Sequence, residues 1–525
     1  MSTTTPSKTT AEVSTDEESD LPEGWVEIEL SDHIYIAGRI GWRGLKAEEY
    51  TSSGPLLLSV PNLNRGHYVD FTEVNHVSEA RYEESPEIQL QSGDTLLVKD
   101  GAGIGKVGYV GNLPDRATVN SSLLVVRPAD VLLIGQYLSY FFKGPDFQQV
   151  ALQRITGSAT PHLFQKDIKQ FRVLVPPLPE QKRIVAKIEG VSKQVNASRE
   201  RLAKVPKVLK YFRQSVLAAA CSGRLTEDWR EQHQDVEPAH VLIEHIDEYR
   251  RKNSVRLRRN EEPEFDLSDM PELPESWVWT AMGRVADVRG GIQKQPKRAP
   301  KQNPYPYLRV ANVLRDRLDL TEIHQMELFG GELETYRLSP GDLLIVEGNG
   351  SLAEIGRSAL WGGDIHNCVH QNHIIRVRPL ICSPQYLNYY WNSPLGIERV
   401  AEVAVTTAGL YSLSTKKVAT LPIALAPLEE QHEIVRRVEA LFKLADMIEK
   451  RVEAATKRAD KLTHAILAKA FRGELVPTEA ELARQEGRDY EPASVLLERI
   501  KADREKVDAA KTNGKRPRKA AKKKG

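Results

Sequence analysis

The sequence predicts an α+β chain: two mixed α/β globules separated by two long helices that form an antiparallel coiled coil, with pseudo-twofold internal duplication. Three observations predict this. Short motifs recur about 250 residues apart, each copy opens with β-strand texture, and each copy closes on a long apolar seam. Leu21-Pro22-Glu23-x-Trp25 returns as Leu273-Pro274-Glu275-x-Trp277, and Gln136-Tyr137-Leu138 as Gln385-Tyr386-Leu387. Pro177-Leu178-Pro179-Glu180-Gln181 returns as Pro427-Leu428-Glu429-Glu430-Gln431. Past each helix, Glu237-Pro238-Ala239-x-x-Leu242 matches Glu491-Pro492-Ala493-x-x-Leu496. Solenoid repeats run to roughly 20–50 residues, so this period marks a duplicated domain-plus-helix unit instead.

The globules are read from short β-branched runs broken by Gly, Pro and Asn. Runs 94–99 and 122–127 in the first copy correspond to 342–347 and 373–378 in the second. A helix is expected over Ile134 to Phe142.

The helices are read from periodicity. Steps of four and three from residue 184 give Ile184, Ile188, Val191, Val195, Ser198, Leu202, Val205, Leu209, Phe212, Val216 and Ala219. The second copy gives Ile434, Val438, Leu441, Ala445, Ile448, Val452, Ala455, Ala459, Leu462, Ile466 and Lys469. A narrow apolar seam at spacing 3.5 with charged flanks is the pattern of a coiled coil. Antiparallel pairing makes a rod on the order of 60 Å long, at about 1.5 Å per residue. Pro206 lies inside the first run and is expected to kink it, since proline deletes a helical hydrogen bond. Gly223 and Gly473 are the expected stops.

These signals divide the chain into a tail over 1–20 read as disordered, a first globule over 21–178 and a first spacer helix over 179–223. A helical linker over 224–272, a second globule over 273–428 and a second spacer helix over 429–473 follow. A helical extension over 474–510 and a basic tail over 511–525 complete it. Net charge is +1 over 525 residues, so a polyanion would have to meet local clusters and not the chain as a whole. Cys221, Cys368 and Cys382 are too few and too scattered for a disulfide framework, which suits a reducing cytoplasm. No signal peptide or membrane-spanning run is read.

Motifs for catalysis fail on context. Gly103-x-Gly105-x-x-Gly108 has the dinucleotide spacing but leads into another strand and not into a helix, so it reads as a hairpin. Asn303-Pro304-Tyr305-Pro306-Tyr307 is a scrambled relative of an amino-methyltransferase motif and reads as a strand entry. Glu180-Gln181-Lys182 has a nuclease-like shape but opens a helix, where its charge reads as helix N-terminal. His366, Cys368 and His370, with His373 nearby, could meet zinc on a strand face, but zinc ligand pairs normally come from two separated knuckles, so no metal is assigned. The stretch 289–301 carries Arg289, Lys294, Lys297, Arg298 and Lys301 with no acidic residue, and reads as a flexible basic loop suited to phosphate contacts. The lysine-rich end would add salt-sensitive attraction to a polyanion.

With globules and helices laid out, the chain resembles the specificity subunits of type I restriction–modification enzymes. The opening Leu-Pro-x-x-Trp of both copies, Pro-Leu-Pro-Glu-Gln-Lys-x-Ile at the first helix, Phe212-Arg213-Gln214-Ser215-Val216-Leu217, Gly223-Arg224-Leu225-Thr226 and Ile466 to Leu475 carry the resemblance. The lysine-ended extension is similar to the type IA branch. The resemblance implies a non-catalytic subunit whose two target-recognition domains read a split site in double-stranded DNA. It implies docking of two modification and two restriction subunits, with the helices as a seam. S-adenosylmethionine, ATP and Mg are then expected on those partners, none on this chain. Recognition residues do not transfer by motif, so they are chosen by physical type: Lys99 and Lys106 at the glycine hairpin, Thr156 and Thr406 opening polar loops, Lys294 and Arg298 in the basic loop, and Asn349 in the second hairpin. Against this stand a fused methyltransferase or nuclease, which lacks its motifs here, and a coiled-coil scaffold that recognises a protein.

Overall fold

The computed structural model describes residues 21–39, 45–156, 162–255, 270–407 and 409–513. The tail expected over 1–20, the end of the basic tail and part of the 224–272 linker lie outside the described residues. The chain divides into two compact units, Met1–Arg201 with Ala455–Gly525, and Leu202–Ala454. Each therefore holds one globule, part of both long helices and the segment that follows the opposite helix.

The two globules share one topology. In the first, a four-stranded antiparallel sheet runs in the order Ile34–Gly38, Leu123–Pro128, Thr95–Val98, Val107–Tyr109. In the second the order is Ala286–Gly290, Ile374–Pro379, Leu343–Val346, Ser358–Leu360. The two central strands are apolar on both faces: Thr95–Val98 and Leu343–Val346 are buried throughout. A three-stranded sheet in each copy pairs one long strand in parallel with a later one, Thr51–Leu58 with Ala117–Val119 and Pro304–Leu308 with Val369–His370. First and last strands pair antiparallel, Val26–Glu29 with Arg172–Val175 and Val278–Ala281 with Pro422–Leu425, so each globule closes on itself.

The glycine-spaced stretch is a hairpin, as read: Leu97 pairs with Val107 and Gly105 sits at φ +82°. The expected helix is Gly135–Lys143, which puts Tyr137, Leu138, Phe141 and Phe142 into the core.

The long helices are Leu178–Cys221 and Leu428–Phe471, of 44 residues each. Gly223 and Gly473 follow at φ +77° and +75°. Pro206 is accommodated inside the first helix without ending it. Within the first unit the two helical segments run antiparallel, with Arg199 donating to Asp460 at 2.7 Å and Arg183 to Glu479, beyond the second helix. The second unit repeats the sense through Arg213 with Asp446 and Glu449, at 2.7 and 3.1 Å.

Ile184, Ile188, Leu209, Ile434 and Val438 are buried, while Val191, Leu202, Leu441 and Ile448 are half-buried. Leu462 departs from the expected seam: it is 47% exposed, and Thr463 with Leu467 takes its turn. The departure is local: Ile466, the next position of the seam, is half-buried again, and the first helix keeps Leu209 and Val216 buried at the matching heptads. Arg199 donates to Thr463 Oγ1 at 3.3 Å on this face.

The repeated motifs meet in space. Trp25 Nε1 donates to Glu180 Oε1 at 3.0 Å, and Trp277 Nε1 to Glu430 Oε2 at 2.8 Å, so the opening tryptophan of each copy is tied to the start of a long helix. The adjacent glutamines are also buried. Gln181 donates to the carbonyls of Leu132 and Pro176 and accepts from the Ile134 amide, while Gln431 donates to Ala426 and accepts from Ser383. Glu180 and Gln181 thus lock globule to helix, a larger role than the helix N-terminal charge expected of them. The third echo closes the lock, with the Ala239 amide donating to the Ser276 carbonyl at 2.8 Å and the Ala493 amide to the Gly24 carbonyl at 2.9 Å. A methyl group on Gly223 would lie 2.6 Å from Pro274, and one on Gly473 2.6 Å from Pro22, so both helix stops require glycine for space as well as for φ.

His370 gives the second unit an acid-labile point. It is fully buried, its Nδ1 lies 3.0 Å from the Ile374 carbonyl and so carries the proton, and burial with nearby Arg376 holds its pKa down at about 4. The folded value lies below the ordinary 6.5, so this contribution is complete above pH 6.5 and is lost as pH falls through about 4. About 2.5 pKa steps correspond to roughly 3 kcal/mol. Denaturant titration at pH 7 and pH 4 is expected to show that loss, and His370→Gln should make the second unit's stability less dependent on pH across this window.

Candidate nucleic-acid interface

Each unit gathers the same set of loops at the end of its central strand. In the first unit, Lys99 follows strand Thr95–Val98; its amide donates to the Ser122 carbonyl and its own carbonyl accepts from the Leu163 amide, both at 2.9 Å. In the second unit, Glu347 follows strand Leu343–Val346; its amide donates to the His373 carbonyl at 3.0 Å and its carbonyl accepts from the Leu413 amide at 2.8 Å. A short helix follows at the same place, Gln165–Lys169 or Thr415–Thr420. The backbone frame is therefore built twice, and the side chains on it differ.

In the first unit the frame is basic and aromatic. Arg39, Lys99, His162, Phe164 and Lys166 line a cleft of about 420 Å³. Arg39 is 3% exposed and donates to the Val119 carbonyl and Thr118 Oγ1, while its buried Nη1 has no hydrogen-bond partner among the described residues. Burial lowers its pKa, with the neighbouring Arg81 adding to the effect. Lys99 pairs with Asp100 at 3.1 Å, Asp100 also holds His162, and the Lys166 ammonium lies 5.5 Å from the centre of the exposed Phe164 ring. Lys106 is exposed and donates to Asn64 Oδ1 at 2.8 Å. Lys99 and Lys106 share the hairpin, as expected. Thr156 is the last residue of helix Pro145–Thr156, and its side chain lies outside the described residues.

In the second unit the frame carries amides, a carboxylate and imidazole, with exposed Lys416 at the place of Lys166. Asn349 and Thr406 meet in one small sheet, both registered on Tyr411, the first across strand Gly348–Asn349 and the second across strand Val405–Thr407. Thr406 is thus in a strand and does not open a loop: Val405-Thr406-Thr407 is β-branched and folds back across Gly409 at φ +78°. Its side chain lies outside the described residues. Glu347 Oε2 bonds His373 Nδ1 at 3.0 Å.

The basic stretch 289–301 is anchored where a flexible loop is expected. Glu327, 6% exposed, accepts from the amides of Lys301, Gln302 and Asn303. Arg298 makes a two-pronged pair with Glu332 at 2.8 and 2.7 Å, and this holds the Glu332 carboxyl down at about 2. The charge of Arg298 is therefore matched by Glu332, while Arg298 lines the same cleft as Lys294. Lys294, Lys297 and Lys301 remain exposed, and Lys294 lines a cleft of about 370 Å³ with Gln295, Tyr307, His324 and Gln325. Such a surface can meet phosphates through its ammonium groups and base edges through its amides.

Arg39, His162, Phe164, Lys166 and Glu347 stand on these surfaces without being among the sequence candidates, and His373, which the sequence places only near a zinc-like group, pairs with Glu347 instead. The repeat itself was a usable signal: the residue following each matched central strand is Lys in one copy and Glu in the other. Among the described residues no three His, Cys, Asp or Glu side chains group to hold a metal, and none of the helices is long and apolar enough to cross a membrane. Cys221, Cys368 and Cys382 are buried and unpaired, and burial pushes each thiol up to about 12, which keeps it from acting as a thiolate at neutral pH.

A duplicated globule-plus-helix fold, with a loop surface of changed side chains on a repeated frame, defines a class of two-domain recognition proteins. The type I restriction modification DNA specificity domain matches residues 22–207 and again 274–457, and the chain belongs to that family. It is 30% identical to the type I restriction enzyme EcoKI specificity subunit of Escherichia coli K12 over 495 residues, 92% of this chain and 96% of that one. It is 28% identical to the StySPI specificity subunit of Salmonella potsdam, over 94% of this chain and 99% of that one. The fold is similar to that of the HsdS subunit from Thermoanaerobacter tengcongensis, with TM-score 0.53 and 19% identity over 88% of this chain and all of that one. A chain from a structural study of type I R-M complex assembly and conformational transition gives TM-score 0.60 and 19% identity, over 87% of this chain and 99% of that one.

Proposed function

We propose that this chain is the non-catalytic recognition subunit of a type I restriction–modification complex in the cytoplasm, its two globules each reading one half of a split DNA site. The observation that carries this reading is the strand-end frame built twice with different side chains. One fold offering two chemistries suits a target of two unlike blocks. Each copy also closes on a helix of 44 residues, the element that the resemblance to specificity subunits reads as a spacer. Two modification subunits would dock along the helices and two restriction subunits would complete the assembly, carrying the S-adenosylmethionine, ATP and Mg that the reaction needs.

Salt dependence of DNA binding by the complex with its modification subunits tests the reading against the protein-binding scaffold. A steep fall of affinity with salt is expected. Replacing Lys294, Lys297 or Lys301 by alanine should lower the log–log slope by about 1 for each lysine that meets a phosphate. Arg298→Ala should instead reduce the second unit's thermal stability, because it frees Glu332. Binding insensitive to salt would favour the scaffold.

A further inference from the structure

We propose that Glu347 is a specificity-determining residue that accepts a hydrogen bond from an exocyclic amino group of a base in the half-site read by the second unit. This rests on the DNA-reading function proposed above. Lys99 and Glu347 occupy the same place on the duplicated frame, with the same two backbone bonds, and carry opposite charge. Around Lys99 the cleft is cationic and suits a phosphate or the acceptor edge of a purine. Around Glu347 the balance differs: a carboxylate replaces Lys99, while exposed Lys416 keeps the place of Lys166. The neighbouring position, Arg39 in the first unit, corresponds to Gly291 in the second, and a carboxylate placed against a phosphate is repelled.

A carboxylate on a DNA-facing frame has one favourable partner type in the duplex, a base N–H donor. In the major groove those donors are cytosine N4 and adenine N6. Glu347 is prepared for this. Its carboxylate is about one-third exposed, and His373 holds only Oε2, so acceptor capacity remains on the carboxylate. His373 also fixes the carboxylate's orientation, which favours selection of one donor position. Asn349 and Tyr411, within the same strand-end cluster, supply further polar edges.

The test maps adenine methylation in host DNA carrying this chain with its modification subunit, for wild type, Glu347→Ala, Glu347→Gln and Lys99→Ala. The two Glu347 bonds to the frame are made by backbone, so neither substitution removes them. Glu347→Ala is expected to relax one cytosine or adenine position in one block, by about tenfold or more, and to leave the other block unchanged. Lys99→Ala should act only on that other block. Glu347→Gln separates the two bases, because glutamine pairs well with adenine N6 and N7: a required adenine would be retained and a required cytosine weakened or exchanged. A split wild-type target with both blocks unchanged in Glu347→Ala, or both weakened equally, overturns the proposal while leaving the DNA-reading function standing. A wild-type protein that directs no split target overturns both.

Discussion

A chain ending at residue 473 is expected to lose the stability of its N-terminal globule, nearly 300 residues away in sequence. The extension beyond the second helix packs on the first globule: Ala480, Ala483, Ala493, Leu496 and Leu497 are buried, the last two in the core that holds Trp25 and Tyr137. Burying a leucine is worth about 1.5–3 kcal/mol, so these two alone contribute on the order of 3–6 kcal/mol. The Glu479 amide also donates to Glu180 Oε2 at 2.8 Å. Glu180 has no exposed surface, and burial already raises its pKa, so removing one of its donors adds a cost of about 1–3 kcal/mol. The total is comparable to the whole stability of a typical domain, about 5–15 kcal/mol. Hydrogen exchange should show protection collapsing around residues 25–29 and 172–188 while the second unit, which keeps its matching segment after the first helix, stays protected. Supplying residues 474–513 as a separate peptide should restore protection. Unchanged exchange in the first unit would contradict this account of the lock.

The repeated motifs made the architecture legible because both copies obey the same packing. Period-2 runs marked the central strands, and the 3.5-residue seam marked the helices. What the motifs do for one another was not legible. Trp25 and Glu180 lie 155 residues apart, and nothing local says that one donates to the other. Closure of the C-terminal segment onto Gly24 likewise depends on the tertiary path. The seam holds at constant step along both helices except at Leu462, where Thr463 and Leu467 are the more buried neighbours, a local choice that periodicity does not encode.

The binding surface was the least legible part, for a physical reason. Frame residues repeat because they must pack, but the side chains that project from the frame answer to a target and differ between copies. The places of Lys99 and Asn349 are legible because glycines mark the chain reversals beside them. Arg298 is equivalent in sequence to its lysine neighbours, and only the tertiary path brings Glu332 to it. Glu347 carries the opposite charge to Lys99, and only the backbone frame they share relates the two positions.

The second large effect is on the target itself. If each globule reads its own block, the DNA motif must be discontinuous, and each block must travel with its globule. Moving residues 22–176 from a relative with another target into this chain should exchange one block completely and leave the other block intact. The most direct measurement is a genome-wide map of adenine methylation in cells that co-express this chain with its modification subunit. Two short defined blocks separated by an unspecific gap of fixed length are expected. A continuous motif, or no methylation from a stable complex, would contradict two-block recognition.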